Sequence, residues 1–296
     1  MNSKLININL IDTKFNFQIL DINLYDTIAP HDLNSLILPK TKLNKGLIIN
    51  GRTPIWLSAY LHLQYKDKIW IAQYDPRFGA IITNAKYKKQ LLEIIPNSKI
   101  VNYLAVPGKE PLVIALLGPP HSGKSVLLYV LFKMLLKKNF SYFNNYAFII
   151  EGAPDGEGIW SSEISQSLVK RIKYKNKFSN NFVQKVIRQI KSIRKTKSLI
   201  FIDCGGKIDE ANSRILANCN RAIIVSNDKD KIIDWKKAYI SDKLKLLAEV
   251  HSTLDNKIKT KINFKENDFY DMTISGLSRN NKKIVIPKDF INYFIN

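Results

Sequence analysis

The chain has 296 residues, enough for two domains of ordinary size, and 45% of them are hydrophobic, so each half can bury a core. The formal charge of +21 suits an anionic partner, but lysine, asparagine and isoleucine are abundant along the whole chain, so much of that excess is solvated surface. The two cysteines, Cys204 and Cys219, exclude a disulfide framework and point to a reducing compartment. The first residues lack the long apolar region of a signal peptide, and the longest apolar run, 126–136, is interrupted by Lys133 and too short to span a membrane. Composition therefore predicts a cytoplasmic protein with no membrane partner.

In chain order, the pattern predicts strands over 15–20 and 46–50. A helix over 54–64 follows, with Thr53 as its N-cap and Pro54 at its first position. Strands over 69–74 and 80–83 flank the turn Asp75-Pro76-Arg77-Phe78-Gly79. Three prolines and a glycine between 96 and 111 mark a boundary, giving a first domain over 1–97, a linker over 98–110 and a second domain over 111–296. Beyond it the apolar runs 112–117, 147–151, 199–203, 222–226 and 247–251 read as strands. Helices are expected at 125–136, 162–172 and 181–194. That alternation predicts an α/β fold whose second domain has a mainly parallel sheet covered on both faces.

Between the strand at 112–117 and its helix stands Gly118-Pro119-Pro120-His121-Ser122-Gly123-Lys124-Ser125, a G-x-x-x-x-G-K-S phosphate loop in its proper context. The glycines let backbone N–H groups turn inward around phosphates, and the helix N-terminus adds positive potential. Lys124 is expected to reach the β- and γ-phosphates, and Ser125 to place its hydroxyl on Mg²⁺. Asp203 closes the apolar strand LIFID, where an acid either holds Mg²⁺ or caps the next turn. Asp155 and Glu157, in Pro154-Asp155-Gly156-Glu157-Gly158, read either as groups orienting a water or acceptor hydroxyl, or as a surface turn. ATP with Mg²⁺ is the expected cofactor set, and Arg188, Arg194 and Arg214 are equal candidates for an arginine finger.

Two further turns carry chemistry. In Gly51-Arg52-Thr53-Pro54-Ile55-Trp56-Leu57, Arg52 stands beside a helix N-terminus, a place suited to a phosphodiester; a capped helix explains the segment equally. In Tyr74-Asp75-Pro76-Arg77-Phe78-Gly79, Asp75 can bind a metal and Arg77 a phosphate, or the two form an ion pair across a hairpin.

GRTPIWL followed by YDPRFGAII resembles the signature of the small CRISPR-associated ring nucleases of type III systems. GPPHSGKS with PDGEGIW is similar to a branch fused to an AAA-like P-loop domain. The resemblance implies a ferredoxin-like or distantly Rossmann-like first domain that forms dimers, with two dimers enclosing one cyclic tetra-adenylate. It implies ring binding by Gly51, Arg52, Thr53, Pro54 and Trp56, and cleavage to linear products by Asp75, Arg77 and His62. It also implies a dependence on Mn²⁺ held in part by Asp75. The sequence departs from that family where a Ser-His pair is replaced by Ala85-Lys86, leaving His62 as the imidazole of the helix. Lysine accepts a proton near neutral pH only when its pKa is strongly lowered. Three functions follow as expectations: a ring nuclease with an ATP-dependent partner domain, a non-cleaving ring sensor that regulates that domain, or a P-loop kinase acting on a nucleotide.

Overall fold

A computed structural model describes residues 5–104, 110–154, 179–255, 257–279, 281 and 283–295. The chain divides into two units. The first takes in Met1–Lys109 together with Phe140–Ala147 and Lys195–Lys197; the second is Glu110–Asn139, Phe148–Arg194 and Ser198–Asn296.

The first unit contains β1 (Ile6–Asp12), β2 (Phe17–Leu24), β3 (Gly46–Asn50), α1 (Ile55–Gln64), β4 (Trp70–Asp75), β5 (Gly79–Ala85), β6 (Ile94–Ile95) and the short α2 (Val101–Leu104). Its strands lie in sequential order, β1-β2-β3-β4-β5-β6. The centre, β2-β3-β4, is parallel and the flanking pairs are antiparallel. The run Leu47-Ile48-Ile49 is apolar without alternation because β3 is covered on both faces. Leu47 and Ile49 pack with Leu57 and Leu61 of α1, while Ile48 packs with Phe17, Trp70 and Ala72.

The cap of α1 differs from expectation. Pro54, not Thr53, is the N-cap, with φ −56° and ψ 147°, and no side chain caps the helix. The Pro54 carbonyl accepts the Leu57 and Ser58 N–H groups at 3.0 and 3.2 Å. The proline ring has the φ a helix needs, but its extended ψ makes it the last non-helical residue and leaves Thr53 one step outside.

The second unit begins with β7 (Leu112–Leu117) and α3 (Lys124–Lys138). Immediately after α3 comes α4 (Phe140–Tyr146), which groups with the first unit. Then follow β8 (Ala147–Gly152), α5 (Asn180–Ile193), β9 (Leu199–Cys204), α6 (Glu210–Leu216), β10 (Arg221–Ser226), α7 (Lys229–Tyr239), β11 (Lys245–Thr253), β12 (Lys261–Glu266), β13 (Phe269–Ser275) and α8 (Lys288–Asn292). The strand order is β12-β13-β11-β10-β7-β9-β8. The pairs β7–β9, β7–β10, β10–β11 and β11–β13 are parallel, and β12 closes one edge antiparallel. The mainly parallel sheet expected from the alternating pattern is present. The phosphate-loop strand β7 pairs directly with β9.

The core of this unit joins alternate residues of β7 and β9 to one stripe of α5, Val183, Val186, Ile190 and Ile193, spaced as a helix face requires. The expected helix over 162–172, and Asp155 and Glu157, lie outside the described residues. No helix of the described residues is long and apolar enough to cross a membrane.

Candidate nucleotide and phosphodiester sites

The phosphate loop is built by backbone strain that a parallel strand and a helix hold in place. Gly118 and Gly123 take φ of 134° and 95°, and His121 between them takes φ 60°. A Cβ on Gly118 would stand 2.0 Å from the Val225 carbonyl oxygen, so the loop fits under β10 only with glycine. Gly206, in the turn after β9, is as constrained: its Cβ would meet Pro120 N at 2.6 Å. The second turn thus lies against the phosphate loop.

Lys124 Nζ donates to the Gly118 and Pro119 carbonyls at 2.8 Å each. Burial lowers its pKa, with Asp203 and Cys204 partly restoring it. A buried ammonium that leans on carbonyls gains most from an incoming anion. Ser122 Oγ is buried and has no hydrogen-bond partner among the described residues, an orphaned donor inside the same loop. These observations fit a polyphosphate.

The register Leu116↔Asp203 in β7–β9 carries Asp203 to the loop. Ser125 Oγ donates to Asp203 Oδ2 at 2.5 Å. Burial raises the Asp203 pKa against the opposing effects of Ser125 and Lys124. A buried carboxylate beside a hydroxyl offers two oxygen donors of the kind Mg²⁺ takes. Ser125 and Asp203 are therefore the residues that would hold Mg²⁺, which would supply positive charge opposite the phosphates.

Glu151, at the end of β8, carries no role in the sequence reading. Its pKa is raised by burial and by Asp203 nearby. It closes the strand AFIIE as Asp203 closes LIFID, a signal that was present in the sequence. The three arginines considered as fingers are engaged elsewhere: Arg188 Nε with the Gln184 carbonyl, Arg194 with Glu110 at 3.5 Å, and Arg214 with Asn180 at 2.8 Å.

In the first unit, Gly51, Arg52, Thr53, Ile55, Ser58, Ala59, His62 and Gln73 line one concavity of about 460 Å³. The structure thus brings Gly51, Arg52, Thr53 and His62 together. Gly51 turns at φ 143°, and a Cβ there would meet the Ile22 carbonyl oxygen at 2.6 Å. Pro54 and Trp56 are outside the lining; Trp56 packs on the core beside Leu57. Desolvation lowers the Arg52 pKa, which an anion would reverse. The loop is held from behind by Asn144 of α4, whose amide donates to the Arg52 carbonyl at 3.1 Å. Lys197 in turn donates to the Asn145 carbonyl, and burial together with Arg52 pulls its pKa down to about 8, with Asp21 in partial opposition.

His62 Nδ1 lies 2.8 Å from the Ser58 carbonyl, an acceptor, so that nitrogen carries the hydrogen. In the neutral ring Nε2, 2.8 Å from Thr83 Oγ1, is then the basic nitrogen. Asp75 and Arg77 stand outside the concavity and face each other: Arg77 Nε donates at 3.0 and 3.2 Å and its terminal nitrogen at 2.6 Å. Asp75 also accepts the Arg77 backbone N–H at 2.8 Å. Pairing with Asp75 raises the Arg77 pKa.

Both Asp75 oxygens are thus on Arg77. Among the described residues, moreover, no group of three or more His, Cys, Asp or Glu is placed to hold a metal ion. The expected Mn²⁺ does not fit this donor set.

A family model described as CRISPR-associated protein (Cas_csx3) matches the chain. The match falls on residues 21–92. It spans β2 to β5 and includes the concavity, His62, Asp75 and Arg77. Among solved structures, the chain is similar to the signal recognition particle receptor FtsY from Elizabethkingia anophelis in complex with GDP, at 13% identity, covering 67% of this chain and 70% of that one, with a TM-score of 0.39. It is also similar to the septum site-determining protein MinD from Pyrococcus horikoshii OT3 complexed with Mg-ADP, at 16% identity, 50% and 72% coverage and a TM-score of 0.35. A ParA family ATPase from Chlorobium tepidum TLS matches at 11% identity, 49% and 75% coverage and a TM-score of 0.32. The nucleotide reading rests on the loop geometry rather than on these likenesses.

Proposed function

We propose that this chain is a CRISPR ancillary protein that binds cyclic tetra-adenylate at the Gly51–His62 concavity and cleaves it, and that its phosphate-loop unit binds ATP with Mg²⁺. The observation that carries the first half is the meeting of Arg52 with a base-oriented His62 Nε2 in one concavity, inside the segment that resembles a CRISPR-associated family. Cleavage needs no co-reactant. A ribose 2′-OH gives its proton to His62 Nε2 and its oxygen bonds the adjacent phosphorus. The bond from phosphorus to the 5′-oxygen breaks, that oxygen takes up a proton, and the ring opens to a linear product ending in a cyclic phosphate. Arg52 offsets the charge that builds on the phosphate. A ligand with rotational symmetry suits a symmetric assembly, so the active form is a homo-oligomer, a dimer or tetramer.

Incubating the full chain with labelled cyclic tetra-adenylate, and identifying the ends of any product, tests this. Linear product is expected from the wild type, and a loss of roughly 10²–10⁴ in rate from His62→Ala. Unchanged cleavage by that variant removes His62 from the chemistry, and no linear product from the wild type removes the nuclease reading.

One observation favours a second reading, in which the ring is sensed rather than cut. The hydrogen bond from Asn144 ties the Arg52 turn to α4, and α4 follows directly on α3, whose first residues are Lys124 and Ser125. Ring occupancy then alters nucleotide affinity. Identical ATP affinity with and without saturating ring excludes this. The kinase reading would draw on Asp155 and Glu157, and phosphate appearing only as inorganic phosphate, with nucleotide acceptors offered, counts against it.

A further inference from the structure

His62 is held at both ring nitrogens, and the second contact decides how a proton reaches it. Nδ1 faces the Ser58 carbonyl at 2.8 Å and carries the hydrogen, which leaves Nε2 of the neutral ring with one in-plane lone pair. Thr83 Oγ1 lies 2.8 Å from that nitrogen. It also lies 3.3 Å from the Ile71 carbonyl oxygen, a longer and weaker contact. A lone pair accepts only a hydrogen, so the Thr83 O–H points at Nε2 while the imidazole is neutral.

The fold brings Thr83 there by a bulge. Ala80 and Ile82 of β5 belong to the core that holds Trp70 and Ala72. Thr83, one step on, stands on the other face of the sheet, where Leu57 and Leu61 of α1 pack with Ile71. The β4–β5 register steps from Ile71↔Asn84 to Ala72↔Ile82, so Thr83 has no counterpart on β4. An extra residue of this kind re-aims its side chain. Thr83 is exposed, whereas Ile82 beside it is buried.

The filled lone pair has a chemical consequence. A ribose hydroxyl going straight to Nε2 would have to displace Thr83. A hydroxyl oxygen, however, has two acceptor positions beside its one hydrogen. An incoming hydroxyl can therefore donate to Thr83 Oγ1 while Thr83 donates to Nε2.

We propose that Thr83 is the proton relay between the substrate and His62. The ribose 2′-OH gives its proton to Thr83 Oγ1, Thr83 gives its own to His62 Nε2, and the 2′-oxygen bonds the adjacent phosphorus. Thr83 begins and ends as a neutral hydroxyl, and the net change is one proton moved from the 2′-oxygen to the imidazole. Once Nε2 carries a hydrogen it donates back to Oγ1, and the Thr83 hydroxyl turns toward the Ile71 carbonyl. One side chain thus serves both charge states of His62: it donates to the neutral ring and accepts from the cation. The inference rests on the nuclease reading and adds the atom that takes the proton from the substrate.

Single-turnover cleavage of labelled cyclic tetra-adenylate by the full chain tests it, with Thr83→Val and Thr83→Ser beside the wild type. Valine keeps the branched shape and removes the hydroxyl; serine restores the hydroxyl. Thr83→Val is expected to cleave about 10²-fold more slowly at unchanged ring affinity, and Thr83→Ser to recover most of that rate. Rates in mixtures of H₂O and D₂O give a readout that packing alone does not move. Two protons in flight bow the plot for the wild type, and the bow is expected to flatten in Thr83→Val. A wild-type rate in Thr83→Val, or a serine variant as slow as the valine one, overturns the relay and leaves His62 as a direct base. The same plot for wild type and Thr83→Val also overturns it, as does loss of ring binding in Thr83→Val, which gives the hydroxyl a structural part instead. If the wild type itself makes no linear product, the nuclease reading falls and the relay with it.

Discussion

Gly118 has no room for a methyl group and no ordinary φ to offer one, because the Val225 carbonyl oxygen would lie 2.0 Å from its Cβ. Gly118→Ala is therefore expected to lower stability by about 1–3 kcal/mol and to weaken ATP binding, since β10 and the loop must part. Thermal unfolding with and without ATP measures both. Lys124→Ala separates the effects: it keeps the backbone, removes the cation, and is expected to abolish the stabilisation ATP gives. Two other lysines set a pH dependence. Burial brings Lys68 and Lys197 down to about 8, from a usual 10.5. The folded state thus holds fewer protons than the unfolded between those values, and stability rises with pH across that window, by on the order of 3 kcal/mol for the deeply buried Lys197 and by less for Lys68. Tyr65 and Tyr74 act in the opposite sense. Burial raises each to about 12, so the folded state keeps protons that the unfolded chain loses above its usual 10, and stability falls from there upward. Denaturant unfolding between pH 7 and 12 is expected to show a maximum near pH 10; a monotonic profile would contradict it.

At the scale of elements, β3 and β4 are matched around one missing side chain. A Cβ on Gly46 would stand 2.1 Å from the Trp70 indole, so Gly46→Ala is expected to displace that ring and cost about 1–3 kcal/mol. A change in Trp70 fluorescence together with a lower unfolding midpoint is the signature. The same strand shows what a sequence reveals. GLIIN and LVIALL are apolar on both faces and bounded by turn residues, so β3 and β7 were legible with their limits. β1 was not read, although Ile6, Ile8 and Leu10 alternate with asparagines. Polar residues so frequent along the whole chain mask a strand that is half covered. The phosphate loop and Asp203 were legible because both are local: a short pattern, and an acid ending an apolar strand. Thr83 was not, because only the bulge of β5 against β4 brings its hydroxyl to His62. The Asp75–Arg77 ion pair was one of two readings open from the sequence. Nothing local could say that it lies outside the concavity that His62 shares with Arg52.

For the whole molecule, the coupling proposed through the Asn144–Arg52 bond is reciprocal. The factor by which cyclic tetra-adenylate changes ATP affinity must equal the factor by which ATP changes ring affinity. Asn144→Ala is expected to bring that factor toward one while leaving each ligand able to bind alone. Two titrations, each repeated with the other ligand saturating, decide it; unequal factors or an undiminished factor in the variant would count against the route through α4. The division of the chain also bears on how the protein can be taken apart. Phe140 packs on the core that holds Leu57 and Leu61, and Phe143 of the same helix is buried. A fragment ending at Lys109 lacks both, along with the three residues Lys195–Lys197. It is expected to be a poorer folder than its clean sheet suggests, and a reciprocal fragment starting at Glu110 would expose Phe140 and Phe143 to solvent. Gene truncation at the apparent linker, the obvious way to assign one activity to each half, would therefore report on damaged halves. Inactivation in place, by Lys124→Ala on one side and His62→Ala on the other, keeps the interleaved chain whole.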